Sequence, residues 1–172
     1  QPLENNLMHK CLYMVCPSDY LDSIIDKKFK GPKYFFTSLA NTVTLDEKVL
    51  KNITSIVKKK KIDQITFVLS DDNHVILDAL NSQKLVNHRG LKVSYDQLLN
   101  LKEQTSNTWE LGTNYAMIVS YFLNDKIKQL KFGLAPLLPD FPEINGKLYL
   151  RASDSFRVIY PDMVCIDSFY LN

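Results

Sequence analysis

TLDEKVLKNITSIVKKKKIDQITFVLSDDNH, residues 44–74, carries the fold of this chain. Thr44-Leu45-Asp46-Glu47 has the form of a capping box, in which the Thr44 hydroxyl accepts from the Glu47 amide and the Glu47 carboxylate reaches back. Leu45, Val49, Leu50, Ile53, Ile56 and Val57 then recur at helical spacing and define one apolar face. Lys58, Lys59, Lys60 and Lys61 fall where positive charge complements the negative end of the helix dipole. The preferred reading of these lysines is a solvated helix end, with a patch for nucleic acid or an acidic partner as the alternative. Residues 62–69 follow as a mostly apolar strand that leads into the polar Ser70-Asp71-Asp72-Asn73-His74.

Working outward, Cys11-Leu12-Tyr13-Met14-Val15 is a short, unbroken apolar run that ends at the turn-like Cys16-Pro17-Ser18-Asp19. Gly31-Pro32 precedes the aromatic run Tyr34-Phe35-Phe36, and a loop spans 37–43. Two strands thus deliver loops ahead of the helix and the third strand. Strand, crossover helix and strand in succession predict an α/β fold with a parallel central sheet flanked by helices. In such a sheet ligands bind beyond the carboxyl ends of the strands, so the loops after Val15, Phe36 and Leu69 should converge on one crevice.

Val75-Ile76-Leu77-Asp78-Ala79-Leu80 reads as a helix leaving the third loop, with Asp71, Asp72 and Asn73 as turn formers and N-cap. Residues 81–107 are more polar and show no clear period. Leu111, Tyr115, Ile118, Val119, Phe122, Leu123, Ile127 and Leu130 mark a second long amphipathic helix. Pro136, Pro139 and Pro142 make the next segment a loop, and short strands are expected at 147–150 and 157–159, with aromatics available to a neighbouring subunit. Trp109 and Glu110 are read either as a pocket lid or as ordinary packing before the long helix.

At 172 residues the chain suits a single domain, 1–172, with a sizeable core. Its hydrophobic share of 45% and charged share of 23% are those of a globular protein. A net charge of +2 does not supply the concentrated basic surface of a nucleic-acid binder. Cys11, Cys16 and Cys165 follow no disulfide framework or CxxC spacing, which favours reduced thiols and a cytoplasmic location. Because the chain begins at Gln1, a leader removed beforehand stays open. No apolar stretch reaches the ~20 residues that span a membrane as a helix.

The segment Gly31-Pro32-Lys33-Tyr34-Phe35-Phe36-Thr37-Ser38-Leu39-Ala40-Asn41-Thr42-Val43 resembles the β-class carbonic anhydrase stretch G-D-L-F-V-V-R-N-A-G-N-x-V, with the strand and the final Asn-x-Val in common and Thr37 where the family has arginine. Residues 50–80 resemble that family's helix, apolar strand, G-H-x-x-C-G loop and following helix in the same order. The resemblance extends over residues 11–80; the C-terminal half agrees in a general way.

In that family C-x-D-S-R supplies one thiolate and an Asp-Arg pair, and H-x-x-C supplies two further zinc ligands. Two thiolates and an imidazole suit tetrahedral zinc, with a water in the fourth position whose pKa the metal lowers toward ~7 for attack on carbon dioxide. Here the resemblance places Cys16 at the first thiolate, Ser18 at the aspartate with Asp19 displaced by one residue, Ser70 at the histidine and Asn73 at the cysteine. It therefore implies no zinc or other cofactor, no catalytic residues, and a catalytically inactive protein with a binding or assembly role.

The alternative is a divergent carbonic anhydrase (carbonate dehydratase) with a rebuilt zinc site using Cys16 and His74, completed by Asp19, Asp71 or Asp72. A metal-free catalyst using Cys16 with Asp71 and Asp72 is a further alternative, though no base–nucleophile pair is evident. The candidate pocket is Cys16, Asp19, Thr37, Asn41, Ser70, Asp71, Asn73 and His74, open to a small-molecule or anion ligand. Against this stands a plainer reading: Cys16, like Cys11 and Cys165, is a buried core residue, and Asn41 bonds its own loop. His9 and His88 belong to no constellation and are expected to be exposed. By family analogy the chain forms a homo-oligomer, a dimer; no membrane partner is implied.

Overall fold

The computed structural model describes residues 8–105 and 111–160. Five strands form one sheet: β1 (Cys11–Val15), β2 (Lys33–Thr37), β3 (Gln64–Ser70), β4 (Glu143–Leu150) and β5 (Ser155–Val158). Their order is β2-β1-β3-β4-β5. The first four pair in parallel, and β5 returns antiparallel on β4. The expected parallel sheet is present, extended by one antiparallel edge strand.

The helices are α1 (Asp22–Lys28), α2 (Glu47–Lys60), α3 (His74–Leu80), α4 (Lys92–Thr105) and α5 (Leu111–Leu134). α2 begins two residues later than the capping box implies. Asp46 is its N-cap, accepting from the Val49 amide at 2.9 Å, so Thr44 and Leu45 stay outside the helix. A carboxylate satisfies an orphan amide as well as a hydroxyl does and adds a favourable charge at the dipole's positive end. Lys58, Lys59 and Lys60 form the exposed last turn, and Lys61 caps it in the left-handed conformation.

Register explains the two-sided core. Leu12 pairs with Ile65 and Ile65 with Ile144; these residues, with Met14, Phe67, Leu69 and Leu148, pack against α2 to α5 in one large cluster. Cys11, Tyr13, Val15, Val68 and Tyr149 meet Leu21 and Ile25 of the α1 region in a smaller cluster. Strands buried on both faces read as unbroken apolar runs, which is how β1 and β3 read.

Two helices lie where the sequence showed no clear pattern. α4 occupies part of the polar region 81–107; its buried residues Ser94, Tyr95, Leu98 and Thr105 mix apolar with polar types, while Val93 sits 80% exposed. α1 has only seven residues and one buried apolar position, Ile25, too little for a period to register. Gly31 allows close approach before β2: its φ is +93°, and a Cβ there would lie 2.6 Å from the His9 carbonyl. The expected roles of Trp109, Glu110 and Cys165 lie outside the described residues. Among the described residues no helix is long and apolar enough to cross a membrane.

Candidate functional site

The loops after β1, β2 and β3 meet at the carboxyl ends of the strands, as parallel topology requires. After β1 the chain makes a 3-10 turn, Pro17–Asp19, closed by the Asp19 amide donating to the Cys16 carbonyl at 3.1 Å. Pro17 suits the first position of the turn, and Tyr20 ends it in the left-handed region with φ of 54°. This sharp reversal drives Asp19 inward to 1% exposure and leaves Tyr20 80% exposed.

Asp19 is the centre of the site. Its Oδ2 accepts from the Ser70 amide at 2.9 Å, and its Oδ1 accepts from Ser70 Oγ at 2.7 Å and Asn73 Nδ2 at 2.8 Å. Asn73 faces two ways: its Oδ1 also accepts from the amides of Val75 and Ile76, capping α3. Burial pushes the Asp19 carboxyl up; the Ser70 and Asn73 bonds pull it back in part, and neighbouring Asp72 adds to the rise. Tyr115, on α5, donates to the Ser70 carbonyl at 2.9 Å, and desolvation, followed by the Asp19 charge, pushes its phenol well up.

Arg151, at the turn between β4 and β5, reaches across the cluster. Its Nε donates to both Asp72 carboxylate oxygens at 2.9 and 2.7 Å, and its Nη2 to the Asp19 carbonyl at 3.0 Å. Its amide donates to Asp71 Oδ1 at 3.1 Å. Desolvation works against ionised Asp72, but the bonds from Arg151 and Ser70 together with the Arg151 charge outweigh it and hold the carboxyl below its ordinary value.

The second loop contributes a structural anchor. Ser38–Thr42 turns through Ala40 and Asn41, both with positive φ, closed by the Thr42 amide and hydroxyl on the Leu39 carbonyl at 2.9 and 2.7 Å. Asn41 tolerates the left-handed region better than most residues, and its Nδ2 donates to the Val68 carbonyl at 3.0 Å. It thereby ties its loop to the end of β3.

The structure brings Asp19, Ser70 and Asn73 into direct contact and joins Asp71 to them through Arg151. Asn41 is buried nearby in the loop after β2, bonded to β3. Cys16 is fully buried, its Sγ 3.0 Å from Ser18 Oγ, which fits a core residue ending a strand. Thr37 and His74 are both exposed, the latter in the first turn of α3. His9 is exposed and meets Asp63 at 3.0 Å, and His88 is exposed.

Asp19, not Ser18, is the carboxylate that reaches the centre, because the 3-10 turn advances the chain beyond the register the motif implies. Arg151 and Tyr115 were missed by sequence reasoning. Arg151 had one available signal: it is among only Arg89, Arg151 and Arg157 in a chain otherwise supplied with lysine. Its planar guanidinium serves Asp72 through Nε and the Asp19 carbonyl through Nη2 at once, a fixed two-acceptor geometry for which arginine and lysine are not interchangeable.

The donor set does not fit a zinc ion. The Ser70 hydroxyl donates to Asp19, the Asn73 oxygen is committed to two helix amides, and His74 lies outside the cluster. Cys16 alone offers the soft donor that zinc favours. Among the described residues, no group of three or more His, Cys, Asp or Glu is arranged to hold a metal.

No protein-family model matches the chain, and no curated protein sequence matches it. Solved structures do. The wild-type β-carbonic anhydrase CafD of Aspergillus fumigatus has a TM-score of 0.72 at 14% identity, with 93% of this chain and 94% of that one covered. One of two tetrameric β-carbonic anhydrases from Sordaria macrospora has a TM-score of 0.65 at 13% identity, covering 90% and 82%. Coccomyxa β-carbonic anhydrase in complex with acetazolamide has a TM-score of 0.66 at 10% identity, covering 88% and 72%. At these identities the likeness speaks to architecture, and function has to be argued from the site. The chain has a divergent form of the β-carbonic anhydrase fold.

Proposed function

We propose that this protein is a catalytically inactive, zinc-free β-carbonic-anhydrase-like protein that acts through binding or assembly. The observation that carries the reading is the saturation of the Asp19 carboxylate by Ser70 and Asn73, the positions that the resemblance pairs with a zinc-binding histidine and cysteine. Hydration of carbon dioxide on this fold needs a metal-activated water and an open coordination position. Here the side chains at the positions the resemblance pairs with zinc ligands bond to Asp19 instead. Rebuilding a site from Cys16 and His74 would require His74 to leave the surface and the Asp19 cluster to break.

The assembly half of the reading rests on the tetrameric relative and on exposed apolar side chains. Phe35 on edge strand β2 is 37% exposed and Leu39 in the following loop is 43% exposed. Together with the outer edge of β2, which pairs with no strand among the described residues, they suit a homo-oligomeric contact, a dimer in the simplest case. Cys11 and Cys16 are free, buried thiols, in keeping with a reducing, cytoplasmic setting.

Stopped-flow carbon dioxide hydration, run on the full chain with and without added zinc, tests the catalytic half. Rates equal to the buffer background in both arms are expected. Zinc-dependent turnover that disappears in Cys16→Ser would overturn the reading in favour of a rebuilt metal site.

A further inference from the structure

We infer that Asp19 has taken over the structural work of a central metal ion, cross-linking the loop after β1 to the loop after β3 through hydrogen bonds, so that the folded state is metal-independent. This goes beyond the absence of catalysis, which concerns only what the site cannot do; it assigns the site a positive role and rests on the same cluster.

A metal at the carboxyl ends of parallel strands does two things for a fold. It joins ligands far apart in sequence, and it satisfies buried polar groups that apolar packing cannot. Asp19 does both. Its three bonds join residues 51 and 54 positions apart in sequence, and every atom involved is buried. Without Asp19 the Ser70 amide and the Asn73 Nδ2 would be buried donors that lose their acceptor, the costly case in a low-dielectric interior, while the Ser70 hydroxyl also has Asp72 as a partner.

The shape of the cluster also matches a hub. Asn73 passes the connection on to α3 through two capping bonds, Tyr115 brings α5 to the Ser70 carbonyl, and Arg151 brings the β4–β5 turn to the Asp19 carbonyl and to Asp72. The loop after β1, α3, α5 and the β4–β5 turn therefore converge within one bond of Asp19 or its partners. Arg151 also answers the charge problem, because a buried carboxylate beside Asp71 and Asp72 needs a cation close by.

Thermal unfolding of the full chain, followed by circular dichroism, tests this. The wild-type midpoint should be the same after chelator treatment and with added zinc. Asp19→Ala should lower it by roughly 5–20 °C, since it leaves the buried Ser70 amide and Asn73 Nδ2 unmet. Asp19→Asn should cost less, because the amide oxygen still accepts while its NH2 faces a donor. The decrement of Ser70→Ala should shrink in the Asp19→Ala background, as two deletions of one network do.

If Asp19→Ala does not fold, amide exchange on the wild type gives the answer: the Ser70 amide should be among the protected ones, with or without chelator. A midpoint that falls on chelation, an Asp19→Ala midpoint unchanged from wild type, or fast Ser70 exchange would each overturn the inference. These results are separable from the catalytic question: an inactive protein with an indifferent Asp19 sinks the hub alone, and zinc-dependent hydration with a critical Asp19 sinks the inactivity alone.

Discussion

Replacing Asn73 separates its two functions. Its Oδ1 caps α3 by accepting from Val75 and Ile76, and its Nδ2 donates to Asp19. Loss of an N-cap costs about 1 kcal/mol. Loss of a buried hydrogen bond to a charged acceptor costs about 1.5–3 kcal/mol. Asn73→Ala removes both and should destabilise by about 2.5–4 kcal/mol, a drop in midpoint of roughly 5–15 °C for a chain of this size. Asn73→Ser can keep the cap but is too short to reach Asp19, so its cost should be the smaller by about the value of a cap.

Asn73→Asp keeps the cap and sets a second carboxylate against Asp19. Its penalty should be large at neutral pH and shrink on acidification, as like charges in one site predict. Urea unfolding of the three variants, with slopes compared to exclude changes in the denatured state, gives the numbers. Asn73→Ala within ~0.5 kcal/mol of wild type, or equal costs for the Ala and Ser variants, would refute the double role of Asn73.

Three further outcomes follow from the same geometry. The combined S70H and N73C substitution should let the chain take up zinc with Cys16, detected by metal analysis after dialysis; failure to bind would contradict the register that places Ser70 and Asn73 at ligand positions. For pH, burial raises the Asp19 pKa, so the stability linked to its protonation is fully present below the ordinary carboxylate value and lost as pH rises through its folded value, leaving the accepted hydrogen bonds to hold the ionised form. Asp78 has the opposite sign: desolvation opposes ionisation, but bonds from Tyr95, Leu85, Ser82 and Lys84 hold it down to about 2, so its contribution is lost between about pH 4 and 2. Unfolding of Asp19→Asn and Asp78→Asn across pH 2–8 should therefore diverge from wild type in opposite directions. Light scattering should find an oligomer, and Phe35→Lys, on the β2 edge, should shift it toward monomer.

The topology was legible because β1 and β3 are buried on both faces and α2 carries a clean apolar stripe, so strand, helix and strand could be read directly. The helix boundary was not, because Thr44 and Asp46 are both competent caps and only packing chooses between them. α4 escaped because its stripe is narrow and broken by Val93. At the site, the converging loops were legible from topology, and Asp19, Ser70 and Asn73 were among the residues singled out. Thr37 and His74 were singled out with them, yet both stay at the surface. Arg151 is 132 positions from Asp19, and no local pattern links an arginine after one strand to a carbonyl after another. Long-range polar contacts of this kind are set by tertiary placement, which periodicity does not encode.

Hydrogen bonds to Asp19, in place of a metal, are inferred to hold the loops together. Metal content of the full chain, purified without chelator and measured by inductively coupled plasma mass spectrometry, addresses this most directly. Zinc far below one equivalent per chain is expected, in protein that remains folded. One equivalent of zinc, retained through dialysis and released only on unfolding, would contradict it.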